Sequence, residues 1–162
     1  MKKALLDTNL LCLLIVGRIS KDLIGNHKRL RIFTVDDYDK LLKIISFFPK
    51  LITTPHILTE TSNLLRHTPE PRRSLISQSL RQFVEHVDEW GTAAVEVVKN
   101  SHYDALGITD SAIMMASNSN AIIISDDLDL CLAASSSGLG VVNYNYFRDG
   151  AISLADLDRL YS

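Results

Sequence analysis

Cysteine is scarce in this sequence. Cys12 and Cys131 are the two present, far apart and each inside an apolar stretch. That pattern excludes a disulfide framework and reads as two buried thiols of a reducing compartment. Paired zinc ligands are lacking as well: His27, His56, His67, His86 and His102 show none of the close spacings that hold zinc. No run of about 18 uncharged apolar residues occurs, which excludes a membrane-spanning helix. Repeats, low-complexity runs and interdomain linkers are absent, so neither a solenoid nor a string of domains is expected. Charge of one sign is not in excess. Lys and Arg number 17 against 19 Asp and Glu, a net of −2. A wholly basic nucleic-acid coat is thereby excluded, whereas a local basic patch is not.

What remains is the composition of an ordinary folded domain. Of 162 residues, 46% are hydrophobic and 22% charged, enough to bury a core without a disulfide or metal staple. Met1-Lys2-Lys3 and the leucines behind it resemble a short secretion signal. Asp7, Thr8 and Asn9 interrupt that run, however, and no small-residue cleavage site follows. The better reading is a buried strand turning into a helix, and a cytoplasmic protein.

The pattern along the chain alternates. A strand is predicted over Lys3 to Leu6, an apolar helix over Leu10 to Val16, and a polar, basic loop over Gly17 to Arg31. Thr34 caps a second helix through Phe48, with Asp36, Asp37 and Asp39 favouring its dipole, and Pro49 stops it. Leu51 to Thr53 is a short strand, and Thr54-Pro55 opens a helix to about His67. Helical spacing returns from Leu75 to Val87, and a short helix is expected over 93–99. Thr109 begins an almost wholly apolar helix to about Ser117. Ala121 to Ile124 is the clearest strand. A helix to about Ser135, a strand over Gly140 to Asn143 and a terminal helix over Leu154 to Leu160 complete the chain. Strands alternating with helices predict an α/β fold with a parallel sheet covered on both faces.

The informative residues are acids in apolar surroundings. Asp7 ends the first predicted strand, and Asp126 and Asp127 follow the clearest one; ligands of open parallel sheets bind beyond those carboxyl ends. Glu60 lies at the edge of the apolar stripe formed by Ile57, Leu58, Thr61, Leu64 and Leu65. Asp110 opens a helix with no polar face until Ser117. Taken singly, Asp7, Asp126 and Asp127 read equally well as helix caps, whereas Glu60 as a boundary residue and Asp110 as a cap are less satisfactory readings. Taken together they suggest one acidic cluster, whose members would repel and raise one another's pKa. Mg²⁺ or Mn²⁺ resolves such a conflict, because hard cations prefer oxygen ligands and keep waters that a phosphate oxygen can replace. The chemistry implied is phosphodiester hydrolysis by metal-activated water. In the metal-free protein, neutralising one acid, Asp7→Asn included, is expected to be tolerated or stabilising.

The strings LLDTN at Leu5 to Asn9, LTETSNLL at Leu58 to Leu65, GITDSAIM at Gly107 to Met114 and IISDDLDL at Ile123 to Leu130 resemble, in order, the four acidic motifs of the PIN-domain ribonuclease family. That family includes the toxins of bacterial toxin–antitoxin pairs. The resemblance spans about residues 3 to 145. It implies a three-layer α/β/α sandwich around a parallel sheet, Mg²⁺ or Mn²⁺, an RNA substrate, a protein antitoxin and a homodimer. Asp7, Glu60, Asp110 and Asp127 are then the catalytic and metal-ligating acids. Asp129, Asp126, Ser125, Thr8 and Asn9 are auxiliary. The whole of 1–162 reads as a single PIN-like nuclease domain, with an inserted loop and helix at about 17–49 and a short C-terminal extension at about 146–162. The stretch from Asp7 to Glu60 is longer than in the compact toxins, which sets this chain apart from them.

Two basic groups could follow a phosphate backbone: Lys28, Arg29 and Arg31 beside His27, and Arg66, Arg72 and Arg73 with Arg81 beyond. Tyr144, Tyr146 and Phe147 read as core or edge aromatics. Two rivals to a nuclease stay open. One is a catalytically silent PIN-like module that binds RNA or scaffolds. The other is a phosphatase or phosphoacceptor domain with Asp7 as nucleophile, although Asn9 stands where a phosphatase usually has a second acid.

Overall fold

The computed structural model describes residues 2–161. Five strands form one wholly parallel sheet: β1 (Lys3–Leu6), β2 (Leu51–Thr53), β3 (Asp88–Glu89), β4 (Ala121–Ser125) and β5 (Val141–Asn143). Their spatial order is β3-β2-β1-β4-β5. β1 is the central strand and is buried on both faces, pairing Leu5 with Ile52 of β2 and with Ile123 of β4.

Among the described residues α-helices α1 (Thr8–Ile19), α2 (Val35–Ile45), α3 (Pro55–Arg66), α4 (Arg72–Val84), α5 (Ala94–Val97), α6 (Tyr103–Ser117) and α7 (Leu128–Ser136) join the strands, and α8 (Tyr144–Arg148) and α9 (Leu154–Tyr161) follow β5. The chain steps outward from β1 to β2 and β3, then returns past β1 to β4 and β5. Right-handed crossovers in opposite directions place their helices on opposite faces. Accordingly α1 packs with α2, α3 and α4, while α6 packs with α5 and α7. The α/β class and the sandwich expected from the sequence are both present.

Several boundaries differ from expectation for local reasons. α1 starts two residues earlier and continues to Ile19, because Asp7 accepts the Leu10 N–H at 2.9 Å and caps it. The segment read as a basic loop over 17–31 thus begins as helix and continues as two 3₁₀ turns, Lys21–Leu23 and Lys28–Leu30. Ile24 and Leu30 anchor it in the core. α2 is fixed by a capping box between Thr34 and Asp37. It lies directly on α1 at Gly17, where any Cβ would stand 2.3 Å from the Tyr38 ring. The two-residue edge strand β3 and the short helix α8 carry too little periodicity to be read from sequence.

The expected C-terminal extension is tied into the body. Tyr144, Phe147 and Leu157 join the main core cluster. Arg148 of α8 forks onto the buried Asp37 of α2, with Nε 2.8 Å from Oδ1 and Nη2 2.9 Å from Oδ2. Tyr144 donates its hydroxyl to the Asp37 carbonyl at 2.7 Å. Burial alone would raise the Asp37 pKa; the Arg148 guanidinium and the Thr34 donors outweigh it and hold the carboxyl below its ordinary value.

Candidate active site

The strand order creates one topological switch point, between β1 and β4, where the connections from neighbouring strands leave in opposite directions. Leu6 and Ile124 are register partners there, and the Asp7 N–H continues the ladder to the Ile124 carbonyl at 3.1 Å. The residues just past each strand, Asp7 on one side and Ser125 to Asp127 on the other, are therefore forced side by side.

Asp7 is 4% exposed and spends both carboxylate oxygens on hydrogen bonds. Oδ1 accepts from Leu10 N; Oδ2 accepts from the Ser125 hydroxyl and, at 3.0 Å, from the Asp126 N–H. Ser125 is fully buried, and its hydroxyl oxygen in turn accepts the Asp127 N–H at 2.9 Å. Asp127 caps α7 by accepting from Asp129 N at 2.8 Å and Leu130 N at 3.1 Å. Burial, and then the neighbouring Asp126 charge, drive the Asp7 pKa well above its ordinary value, although Ser125 and Leu10 oppose the rise.

Two flanking helices supply the other acids. α3 follows β2, so its first turns stand at the carboxyl edge of the sheet, and Glu60 accepts the Thr8 hydroxyl at 3.3 Å. α6 runs back toward the start of β4, so its early residues lie at that same edge. Gly107, at φ 81°, breaks α6 just before Asp110 and re-aims the second half. Asp110 is half-buried, whereas Asp104, in the first half of the same helix, is exposed. Burial first, then the Asp127 and Glu60 carboxylates, push Asp110 up to about 6. Asp110, Glu60 and Asp127 thus share one electrostatic neighbourhood, joined through Thr8 and Ser125 to Asp7.

Among the described residues, no three His, Cys, Asp or Glu side chains stand together as a ready-made metal-binding group. The donor chemistry nevertheless fits a hard divalent cation. Every acid at this edge offers oxygen, and among the described residues Asp110 makes no side-chain hydrogen bond or ion pair. A cation would also offset the burial and the acid–acid repulsion that together raise the Asp7 and Asp110 pKa values.

The auxiliary residues separate. Thr8 orients Glu60, and Asn9 donates to Asp126 Oδ1 at 3.3 Å. Ser125 is the hub between Asp7 and Asp127. The exposed Asp129 lends its backbone N–H to Asp127, and among the described residues its carboxylate bonds to nothing. Sequence reasoning missed Asn145, whose amide donates to the Asp126 carbonyl at 2.8 Å and braces the loop after β4. The available signal was its place just past β5, the strand next to β4.

Asp7→Asn is also not the neutral change expected from sequence. An amide has one acceptor oxygen, whereas Asp7 accepts through both. An asparagine would turn an NH₂ toward the Asp126 N–H or the Leu10 N–H. Both cysteines are free and buried, as expected, and burial followed by the Asp7 charge pushes each thiol up to about 12.

The basic candidates are sorted by α3 and α4. Arg66, Arg73 and Arg81 line one groove between those helices. Lys28 and Arg72 line an adjoining smaller cavity with His27. Arg29 and Arg31 line neither. Tyr144 and Phe147 are core residues and Tyr146 is half exposed. No helix among the described residues is long and apolar enough to cross a membrane. No model of a known protein family matches this chain, and no curated protein matches it.

Proposed function

We propose that this protein is a metal-dependent endoribonuclease of the PIN type, hydrolysing RNA phosphodiester bonds at the carboxyl edge of its sheet. The observation that carries the reading is the gathering of acids from four separate elements at the one switch point of a parallel sheet. Asp7 and Asp127 come from adjoining strand ends, and Glu60 and Asp110 from the helices on either side.

Asp110, Glu60, Asp127 and Asp7 would hold Mg²⁺ or Mn²⁺, which when bound lowers the pKa of a water and stabilises the leaving oxygen. The chain's own contribution is placement. Thr8 fixes the Glu60 carboxylate, and the Ser125 hydroxyl fixes Asp7 while receiving the Asp127 N–H. Asn9 and Asn145 hold the Asp126 turn that carries Asp127. No histidine or serine nucleophile is required. The reading extends to a toxin with a protein antitoxin and a homodimeric assembly in the cytoplasm.

The test is cleavage of single-stranded RNA with Mn²⁺ or Mg²⁺, halted by EDTA, with Glu60→Gln and Asp110→Asn as inactive controls. Full cleavage by both variants would sink the assignment. Binding of RNA with neither cleavage nor a metal response would favour the silent module instead. Phosphorylation of Asp7 by a small phosphodonor would favour the phosphoacceptor.

A further inference from the structure

The acid site leaves the basic residues unused. α3 and α4 enclose a groove of about 550 Å³ that opens to solvent. Three guanidinium groups border it: Arg66 from α3, Arg73 and Arg81 from α4. Its one carboxylate, Glu70, is already taken, by Arg73 Nε at 2.9 Å and by the Ser74 N–H at 3.1 Å. Arg66 and Arg81 are exposed and make no ion pair or side-chain hydrogen bond among the described residues. The groove therefore carries two uncompensated positive charges. Ser62, Ser77 and Gln78 add hydroxyl- and amide-bearing side chains to its lining. Ile76 also lines the smaller cavity of about 170 Å³, where Lys28 and Arg72 add cations that make no ion pair among the described residues. Folding thus joins two basic stretches that are separate in sequence.

We infer that this groove binds the phosphate backbone of a single-stranded nucleic acid. The inference takes its ligand from the nuclease reading but stands on different residues. Guanidinium groups match phosphate oxygens in a two-pronged fork, and neutral hydroxyl and amide donors complete backbone contacts without reading sequence. The groove is not a wall of the acid site. Ser62 and Arg66 lie roughly 160° and 120° around α3 from Glu60 at 100° per residue. A strand held there reaches the acids only by passing over α3, so the groove is an anchoring site for a longer chain.

The experiment is fluorescence anisotropy of a labelled oligouridylate of about 12 nucleotides, within the usual span of single-strand sites. It is run in EDTA over a range of salt concentrations, so that cleavage plays no part. Each phosphate contact contributes about 0.7 to the slope of log K against log salt for single strands. Arg66→Ala with Arg81→Ala should therefore flatten the slope by about 1.4, and Arg66→Lys with Arg81→Lys should restore most of it. Both positions are exposed, and unchanged melting checks that the fold is intact. An unchanged slope in the alanine variant overturns the inference, as does failure of the wild type to bind. Displacement of the RNA by polyglutamate more readily than by unlabelled oligouridylate also overturns it, in favour of an acidic polypeptide. The nuclease reading fails separately: wild-type protein that shows the arginine-dependent slope but neither cleaves nor responds to Mn²⁺ keeps the groove and loses the catalysis.

Discussion

Asp7 and Asp37 are the same residue type at nearly the same depth, 4% and 2% exposed, and each serves a helix start, Asp7 as the cap of α1 and Asp37 as the capping-box partner of Thr34 in α2. Their electrostatic states are opposite. Asp37 faces the Arg148 fork and two donors from Thr34, and its pKa falls. Asp7 faces Ser125, backbone N–H groups and another acid, and its pKa rises. A buried carboxylate costs stability unless a cation or enough donors compensate it. At Asp37 the chain supplies that cation itself and ties its inserted segment to its C-terminal helices. At the carboxyl edge of the sheet Asp7 has no ion pair among the described residues, and Asp110 repeats the deficit with Asp127 and Glu60 as neighbours. One acid is a finished structural joint; the others make no ion pair among the described residues.

The sharpest way to break the comparison is catalytic. Asp110→Asn should lower Mn²⁺-dependent RNA cleavage by at least about a hundredfold, since the metal's contribution is several kcal/mol. Arg148→Ala should leave the rate constant of the remaining folded protein close to wild type. Single-turnover cleavage measured below the melting range checks both.

Stability should reverse the ranking. Arg148→Ala leaves Asp37 buried without its partner, and breaking such a pair costs about 3 kcal/mol. For a domain of this size that lowers Tm by roughly 6–12 °C. In metal-free buffer Asp110→Asn should melt at or above the wild-type temperature at pH 7. A drop in Asp110→Asn as large as in Arg148→Ala would mean that Asp110 is a structural partner as well.

Added metal sharpens the contrast further. A ligand that binds only the folded state stabilises it by about 2.7 kcal/mol at a hundredfold excess over Kd, a rise of roughly 5–10 °C here. Wild type and Arg148→Ala should both show that rise with Mn²⁺. Glu60→Gln and Asp110→Asn should lose most of it. Equal shifts in all four proteins would place the metal elsewhere.

The smallest effect is on pH dependence. In EDTA, Asp110 has a folded pKa near 6 against an ordinary value of 3.8, so folding takes up a proton. The stability it contributes is fully present below about pH 4 and is lost as pH rises through about 6. Asp37 has the opposite sign: its contribution is present above the ordinary carboxylate range and is lost as pH falls through its depressed folded pKa. Melting curves should show Asp110→Asn flattening the decline between about pH 4 and 6, whereas Arg148→Ala should cost most near neutral pH and flatten the loss on the acid side, converging with wild type once Asp37 is protonated. A wild-type curve that rises across that interval would contradict the unfavourable state of the acid edge.

Much of this was legible in the chain. Apolar runs bounded by capping residues marked β1, β2, β4 and β5 and most helices, because burial of a strand or a helix stripe leaves its period in the sequence. Four acids stood out because each follows or interrupts an apolar run where a carboxylate is costly. Reading them as a set suggested that they meet; the strand order supplies the edge that brings them near one another.

What the sequence could not carry was pairing between distant residues. Asp37 read as one of three dipole-favouring acids on α2, yet Arg148 lies 111 positions away and makes it a buried joint. Asn145 reaches the Asp126 carbonyl from beyond β5, and Lys28 meets Arg72 only because the inserted segment packs against the end of α3. Local sequence determines which segments bury a face and where helices begin, since those depend on neighbours a few residues apart. The compensation of a given acid depends on which charges fold against it, and that was decided by strand order and helix packing alone.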